Sequence, residues 1–184
     1  MSKNIIRLTG EKINLCVFRT DEEALFKYTK WVNDESFNQW IGKASKVVSF
    51  EEEKRWAEKL SGDNKYRFNI VTKDGVLIGN CEIGQKGVND YGLGILIGEE
   101  CGRDKGYGTE VIGLLLKFAF DNLAAHRVEL GVMADNLRAR ACYKKNGFRE
   151  FGCRHECAFY NGKYNDVILM EILENEYKER MKKE

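Results

Sequence analysis

Proline is missing from all 184 residues, and no functional reading attaches to that absence. A surplus of charge is missing too. Lys and Arg number 30 against 29 Asp and Glu, for a net charge of +1. A broad basic face for nucleic acid would leave a larger excess, so no nucleic-acid partner is expected and any ligand electrostatics must be local. No run approaches the roughly 20 apolar residues of a membrane span, so no membrane partner is expected. The opening stretch MSKNIIRLTGEKINL has no continuous apolar segment of the signal-peptide kind. The six cysteines, at 16, 81, 101, 142, 153 and 157, do not resemble the framework of a small disulfide-stapled domain. Reduced thiols and a cytoplasmic location are the expectation.

What is present is ordinary for a folded chain: 43% hydrophobic and 11% aromatic residues. The length fits one domain over residues 1–184. At that size a fold buries roughly 70% of its unfolded surface.

Residues Arg7–Phe18 read as a first strand with a turn in it. TDEEALFKYTKWVN follows as a helix, with Thr20 or Asp21 as cap and acids in the first turn. Ser49 and Glu52 stand at capping-box spacing ahead of a second helix, SFEEEKRWAEKL, in which EEEKR reads as the outer face. YRFNIVT and VLIGNCEIG flank Asp74-Gly75, a hairpin signal. YGLGILIG is the next strand, and TEVIGLLLKFAFDNL is a long helix with apolar residues at helical spacing. Arg127–Met133 is a strand, and NLRARACYKKNG a short helix ending at Gly147, where a left-handed residue belongs. FREFGCRHECAFY and YNDVILMEIL flank an Asn161-Gly162 turn. The charged tail ENEYKERMKKE reads as a solvated helix or frayed end. This order predicts an α/β or α+β mixed sheet. The helix between the strands at 91–98 and 127–133 is a crossover, which makes those two strands parallel.

The stretch CGRDKGYGTE (Cys101–Glu110) lies between a strand and the long helix. A helix N-terminus carries unpaired amides and partial positive charge, and glycines let backbone approach a ligand closely, so the turn suits an anion such as a phosphate. A Walker A loop is excluded because Gly108 is followed by Thr109-Glu110 rather than a lysine and hydroxyl residue. A dinucleotide loop is excluded because Gly106-Tyr107-Gly108 is followed by Val111 where the third glycine belongs.

Arg103-x-x-Gly106-x-Gly108 resembles the pyrophosphate-binding loop of the GNAT superfamily of N-acetyltransferases. Asn136-x-x-Ala139-x-x-x-Tyr143-x-x-x-Gly147-Phe148 resembles the later coenzyme A motif of the same superfamily, in the right order after a helix and a strand. The element order over about residues 5–172 agrees. The stretch FYNGKYNDVILMEIL resembles the branch of spermidine and ribosomal-protein acetyltransferases. One departure stands out: the family often has proline after the strand preceding the loop, and this chain has Gly98-Glu99-Glu100.

The resemblance implies the GNAT acyl-CoA N-acyltransferase fold, a central mixed sheet of about seven strands with flanking helices. It implies acetyl-CoA as cosubstrate and no metal. Ile95, Leu96 and Ile97 would run beside the pantetheine arm, where one amide polarises the thioester carbonyl. Arg103, Asp104, Lys105, Gly106, Tyr107, Gly108 and Thr109 would hold the pyrophosphate, and Asn136 would also contact coenzyme A besides capping its helix. Tyr143 would serve as general acid toward the leaving thiolate, since a phenol with reference pKa about 10 is protonated at neutral pH. Glu82 is the candidate base or cation-binding acid: alternation sets it, with Asn80, opposite Cys81 and Ile83.

Other segments carry less. Cys153, His155 and Cys157 in CRHEC share one strand face, but no second ligand pair lies near in sequence and a structural zinc takes four ligands. His126 reads as a helix-terminal cation. Cys142 lacks a base spaced to activate it, and ping-pong chemistry is not the family's habit. Trp31, Phe37, Trp40 and Trp56 read mainly as packing, with one or two lining an acceptor wall. The expected acceptor is a primary amine: a polyamine-like small molecule favoured by Asp34, Glu35, Glu51 and Glu82, a ribosomal-protein N-terminus, or an amino acid or aminoglycoside. A non-catalytic acyl-CoA sensor is the reading from another class. A second copy of the chain is a candidate partner.

Overall fold

A computed structural model describes residues 4–42, 46–60, 65–102 and 105–182. Its strands form an eight-stranded mixed sheet in the order β1-β2-β3-β4-β5-β6-β8-β7, one strand more than expected. The chain divides into two compact units, residues 1–82 with 95–107, and residues 83–94 with 108–184.

In the first unit, β1 (Ile6–Thr9) and β2 (Ile13–Val17) are antiparallel, so the turn foreseen within Arg7–Phe18 is real. Strand β2 pairs antiparallel with β3 (Lys65–Thr72), Leu15 opposite Ile70. Helix α1 (Glu22–Val32) starts at Asp21, whose carboxylate accepts from the Ala24 amide at 3.4 Å. A short α2 (Glu35–Asn38) and a 3-10 turn (Gln39–Ile41) follow, which the sequence pattern does not announce. Helix α3 (Phe50–Glu58) carries the expected Ser49/Glu52 capping box. Strand β4 spans Leu77–Gly87 and β5 Asp90–Ile97, and both run through the two units.

Trp31, Tyr28, Ala24, Leu25, Val71 and Leu77 form a buried cluster against which Leu96 packs. Each large apolar side chain so buried contributes about 1.5–3 kcal/mol. Trp31 is packing, fully enclosed, whereas Trp56 is partly exposed with its ring edge-on to Phe18. The side chain of Phe37 lies outside the described residues. The EEEKR stretch is not wholly an outer face: Glu53 is only 3% exposed, because it falls on the same side of α3 as buried Ala57, one turn on.

In the second unit, α4 (Tyr107–Asn122) buries Val111, Ile112, Leu115, Leu116 and Ala119 along one stripe. Strand β6 (Arg127–Met133) is parallel to β5, as the crossover requires. Helix α5 (Leu137–Lys145) ends before Gly147, whose φ of +89° is the left-handed stop the sequence called for. Strands β7 (Arg149–Tyr160) and β8 (Lys163–Leu173) close through Asn161 and Gly162, with φ of +51° and +72°, a primed hairpin turn. Strand β8 pairs with β6 on one side and β7 on the other. The tail forms helix α6 (Glu174–Met181). His126 lies beyond the end of α4 and is exposed beside Glu174, so it is not a helix-terminal residue.

Candidate active site

The turn before α4 is described up to Gly102 and again from Lys105. A 3-10 turn (Glu100–Gly102) leaves β5. Arg103 and Asp104, both expected in the cofactor site, lie outside the described residues. Gly106 has φ of +79°, a left-handed conformation that side chains resist. A Cβ there would stand 3.4 Å from the Lys12 ammonium. Lys12 also donates to the Lys105 carbonyl at 3.4 Å. The Lys105 ammonium sits 6.0 Å above the Tyr107 ring. Two lysines thus flank the turn. Lys105 was expected and Lys12 was not, since 93 residues separate them.

Helix α4 starts at Tyr107 and runs through Gly108 and Thr109. The first amides of any helix lack partners inside it. The Thr109 hydroxyl faces the Cys142 thiol at 3.5 Å. Burial pushes the Cys142 thiol up, which disfavours the thiolate a nucleophile needs.

Ile95, Leu96 and Ile97 end β5, and all three are partly accessible although β5 is an inner strand of the sheet. The parallel ladder joins Asp90, Tyr91 and Gly92 to Arg127, Val128 and Glu129. Strand β5 continues to Ile97 past the last of these pairs. Backbone amides beyond a ladder's end are available to an extended ligand in the manner of an added strand.

On α5, Asn136 caps the helix by accepting from the Ala139 amide at 3.1 Å. Tyr143 lies two turns along, 8% exposed, with its ring edge-on to Phe148 at 5.9 Å. Burial, and secondarily Cys142, push its phenol up from the ordinary value, so it is fully protonated at neutral pH. Glu82 follows the expected alternation: Cys81 and Ile83 are buried and Glu82 faces the other way. There it accepts from Lys65 at 2.6 Å and Arg67 at 3.1 Å. These two cations on β3 were missed, because alternation gives a face but not the cross-strand partner. Of the other acids, Glu35 and Glu51 are exposed, and Asp34 accepts from the Ser36 amide at 2.8 Å.

The turn fits a diphosphate: a left-handed glycine, helix amides behind it and two lysines beside it, the Lys12 ammonium over the glycine itself. Comparison with known proteins gives the family. A probable N-acetyltransferase of Bacillus subtilis, YjcK, is 25% identical over 172 residues, 91% of each chain. The spermidine N(1)-acetyltransferase of Vibrio cholerae is 37% identical over 76 residues, 41% of this chain and 44% of that one. The crystal structure of spermidine N-acetyltransferase from Vibrio cholerae, in complex with CoA and spermine, superposes with a TM-score of 0.81 at 24% identity, covering 92% of this chain and 99% of the other. The acetyltransferase (GNAT) domain family matches residues 12–149. Spanning most of the chain from β2 to the start of β7, that match makes this protein an N-acetyltransferase of the GNAT family.

Proposed function

We propose that the protein transfers the acetyl group of acetyl-CoA to a primary amine, favouring a polyamine-like small molecule, by direct attack in a ternary complex. The observation that carries this reading is the turn at Gly106, whose left-handed backbone leads straight into the unpaired amides of α4. Bound acetyl-CoA supplies an activated acyl thioester. The amides from Lys105 to Thr109 hold its diphosphate, with the Lys105 and Lys12 ammonium groups adding charge. Arg103 and Asp104 belong to the same loop, and Asn136 adds a side-chain contact. The amides of Ile95, Leu96 and Ile97 bind the extended arm, and one of them, aimed at the carbonyl oxygen, stabilises developing negative charge.

Tyr143 donates a hydrogen bond to the departing sulfur. A buried phenol raised above 10 is a weaker acid than a thiol of about 8.5, so complete proton transfer runs uphill by at least about 2 kcal/mol. Its main contribution is therefore to stabilise the thiolate as charge develops. Glu82 attracts the cationic acceptor and takes its proton. An amine of pKa about 10.4 needs roughly 4–5 kcal/mol to be neutral at pH 7. For Glu82 to act, Lys65 and Arg67 must share or yield its carboxylate. The polyamine preference is supported by the acids Asp34, Glu35, Glu51 and Glu82 and by the likeness to the Vibrio spermidine enzyme. A second copy of the chain is the expected assembly partner.

The test is release of free thiol from acetyl-CoA across a panel of amines. Spermidine-like substrates should turn over with the highest kcat/KM. Turnover of N-terminal peptides alone would transfer the reading to protein acetylation. Stabilisation by coenzyme A with no thiol from any amine would mean an acyl-CoA-binding module.

A further inference from the structure

The β7–β8 hairpin carries a feature outside the acetyl-transfer machinery. After a first shift between Glu150 and Gly152, register runs from Gly152 to Arg154, which opposes Val167, then resumes with Ala158 opposite Asn165. Residues 155–157 bulge out between them, and Glu156 has φ of +48°. The bulge folds over Asp166. The Glu156 amide donates to Asp166 Oδ1 at 2.8 Å, which turns Oδ2 toward Cys153 and His155.

Three different ligand atoms converge there. Cys153 Sγ lies 3.6 Å from His155 Nδ1 and 3.6 Å from Asp166 Oδ2, and His155 Nδ1 lies 3.2 Å from Asp166 Oδ2. A tetrahedral zinc ion with bonds of about 2.3 Å to sulfur, 2.05 Å to nitrogen and 2.0 Å to oxygen sets these separations: about 3.5 Å from sulfur to either partner and about 3.3 Å from nitrogen to oxygen. The three atoms therefore stand at the separations of one face of a coordination tetrahedron. Sequence alone offered only Cys153, His155 and Cys157. The third ligand comes from the facing strand, and Cys157 instead turns its thiol back to the Arg154 carbonyl at 3.4 Å.

We propose that Cys153, His155 and Asp166 form a binding site for a borderline divalent cation of the zinc type, which clips β7 to β8 across the bulge. Mixed sulfur, nitrogen and oxygen donors disfavour calcium and magnesium, which take all-oxygen shells. His155 is 78% and Asp166 36% exposed at the side chain, so the fourth position opens to solvent and takes water or an outside ligand. The Cys153 thiol is deprotonated on binding, with its proton released to buffer.

Cobalt(II) titrated into the full reduced chain tests this directly. The expected result is a thiolate-to-cobalt charge-transfer band together with the intense visible bands of a tetrahedral ion. Both should saturate at one cobalt per chain and be displaced by zinc. Cys153→Ser should abolish the charge-transfer band. Loss of an outer-shell partner alone weakens metal sites by about 10–100-fold, so His155→Gln and Asp166→Asn should each weaken binding by at least about 100-fold. Asp166→Asn retains an oxygen for the Glu156 amide, which keeps the bulge folded. Cys157→Ser should bind as the parent does, and zinc should raise Tm in the parent but not in Cys153→Ser. Absence of the bands, saturation at one metal per two chains, or undiminished binding by Asp166→Asn would each overturn the proposal.

Discussion

The indole Nε1 of Trp31 donates to the Glu99 carboxylate at 3.2 Å, and the Lys27 ammonium reaches the same oxygen at 3.3 Å. This pair lies in the segment Gly98-Glu99-Glu100, where the family often has proline. The amides of Gly98 and Glu99 both donate to the Ile78 carbonyl, at 2.9 and 3.1 Å. A Cβ at Gly98 would collide with the Trp31 ring. Glu99 is thus turned inward onto an indole and a lysine. Glu99→Ala should destabilise the fold by about 1–2 kcal/mol, because it removes a charged acceptor and leaves the indole donor unpaired. Urea unfolding measures it. Glu99→Gln, which keeps an acceptor oxygen, should lose less. Equal losses in the two variants would show that the indole bond contributes nothing.

Gly106 gives the sharpest test of the anion turn. A β-branched residue at φ of +79° is strained by about 1–3 kcal/mol. Gly106→Val should therefore collapse affinity for coenzyme A, and the same strain should lower the melting temperature by about 2–12 °C. Gly106→Ala should fall between, because the neighbour of its Cβ is only the flexible tip of Lys12. Isothermal titration with coenzyme A decides it, and unchanged affinity in Gly106→Val would remove the loop from the cofactor site.

Tyr143→Phe isolates the phenol hydroxyl. Its ring packing against Phe148 survives the change, so affinity for coenzyme A should stay within about twofold. Turnover should fall about 100-fold, the low end for a proton-donating group, because a raised phenol stabilises the thiolate without fully protonating it. A profile of kcat against pH should rise as the amine deprotonates. The phenol should cause no fall below pH 10, since its protonated form is the active one and persists to above that pH. Undiminished turnover would eliminate the general acid.

Much of this molecule is legible in the sequence because its signals are local. Asp21, Ser49 with Glu52, Asn136 and Gly147 mark helix ends by chemistry that acts within three or four residues. Asn161-Gly162 marks a hairpin for the same reason. What escaped was set by distance along the chain. Lys12 meets the loop at Lys105, Lys65 and Arg67 meet Glu82, and Asp166 meets Cys153 and His155 only through strand register. Glu53 misled for another reason: a charged run suggests solvent, but one face of a helix is buried whatever it carries. The short α2 has too few residues for helical spacing to register.

Glu150 ties β7 to α5, the helix that carries Tyr143, through Lys144 at 2.8 Å and Arg140 at 2.9 Å. Lys144 first, then Arg140, hold its carboxyl down to about 2 from an ordinary 4.5. A carboxyl depressed in the folded state is stabilising above its unfolded value, and that contribution is lost as pH falls through the folded value. Glu150→Gln should therefore melt below the parent at pH 7. The gap should narrow as pH drops from 4.5 to about 2 and close beneath that. Subtracting the two melting curves at each pH removes the other carboxylates, which titrate alike in both proteins. Because the pair is exposed, added salt should shrink the gap at pH 7 as well. A gap that ignores both acid and salt would mean that Glu150 holds α5 through shape rather than charge.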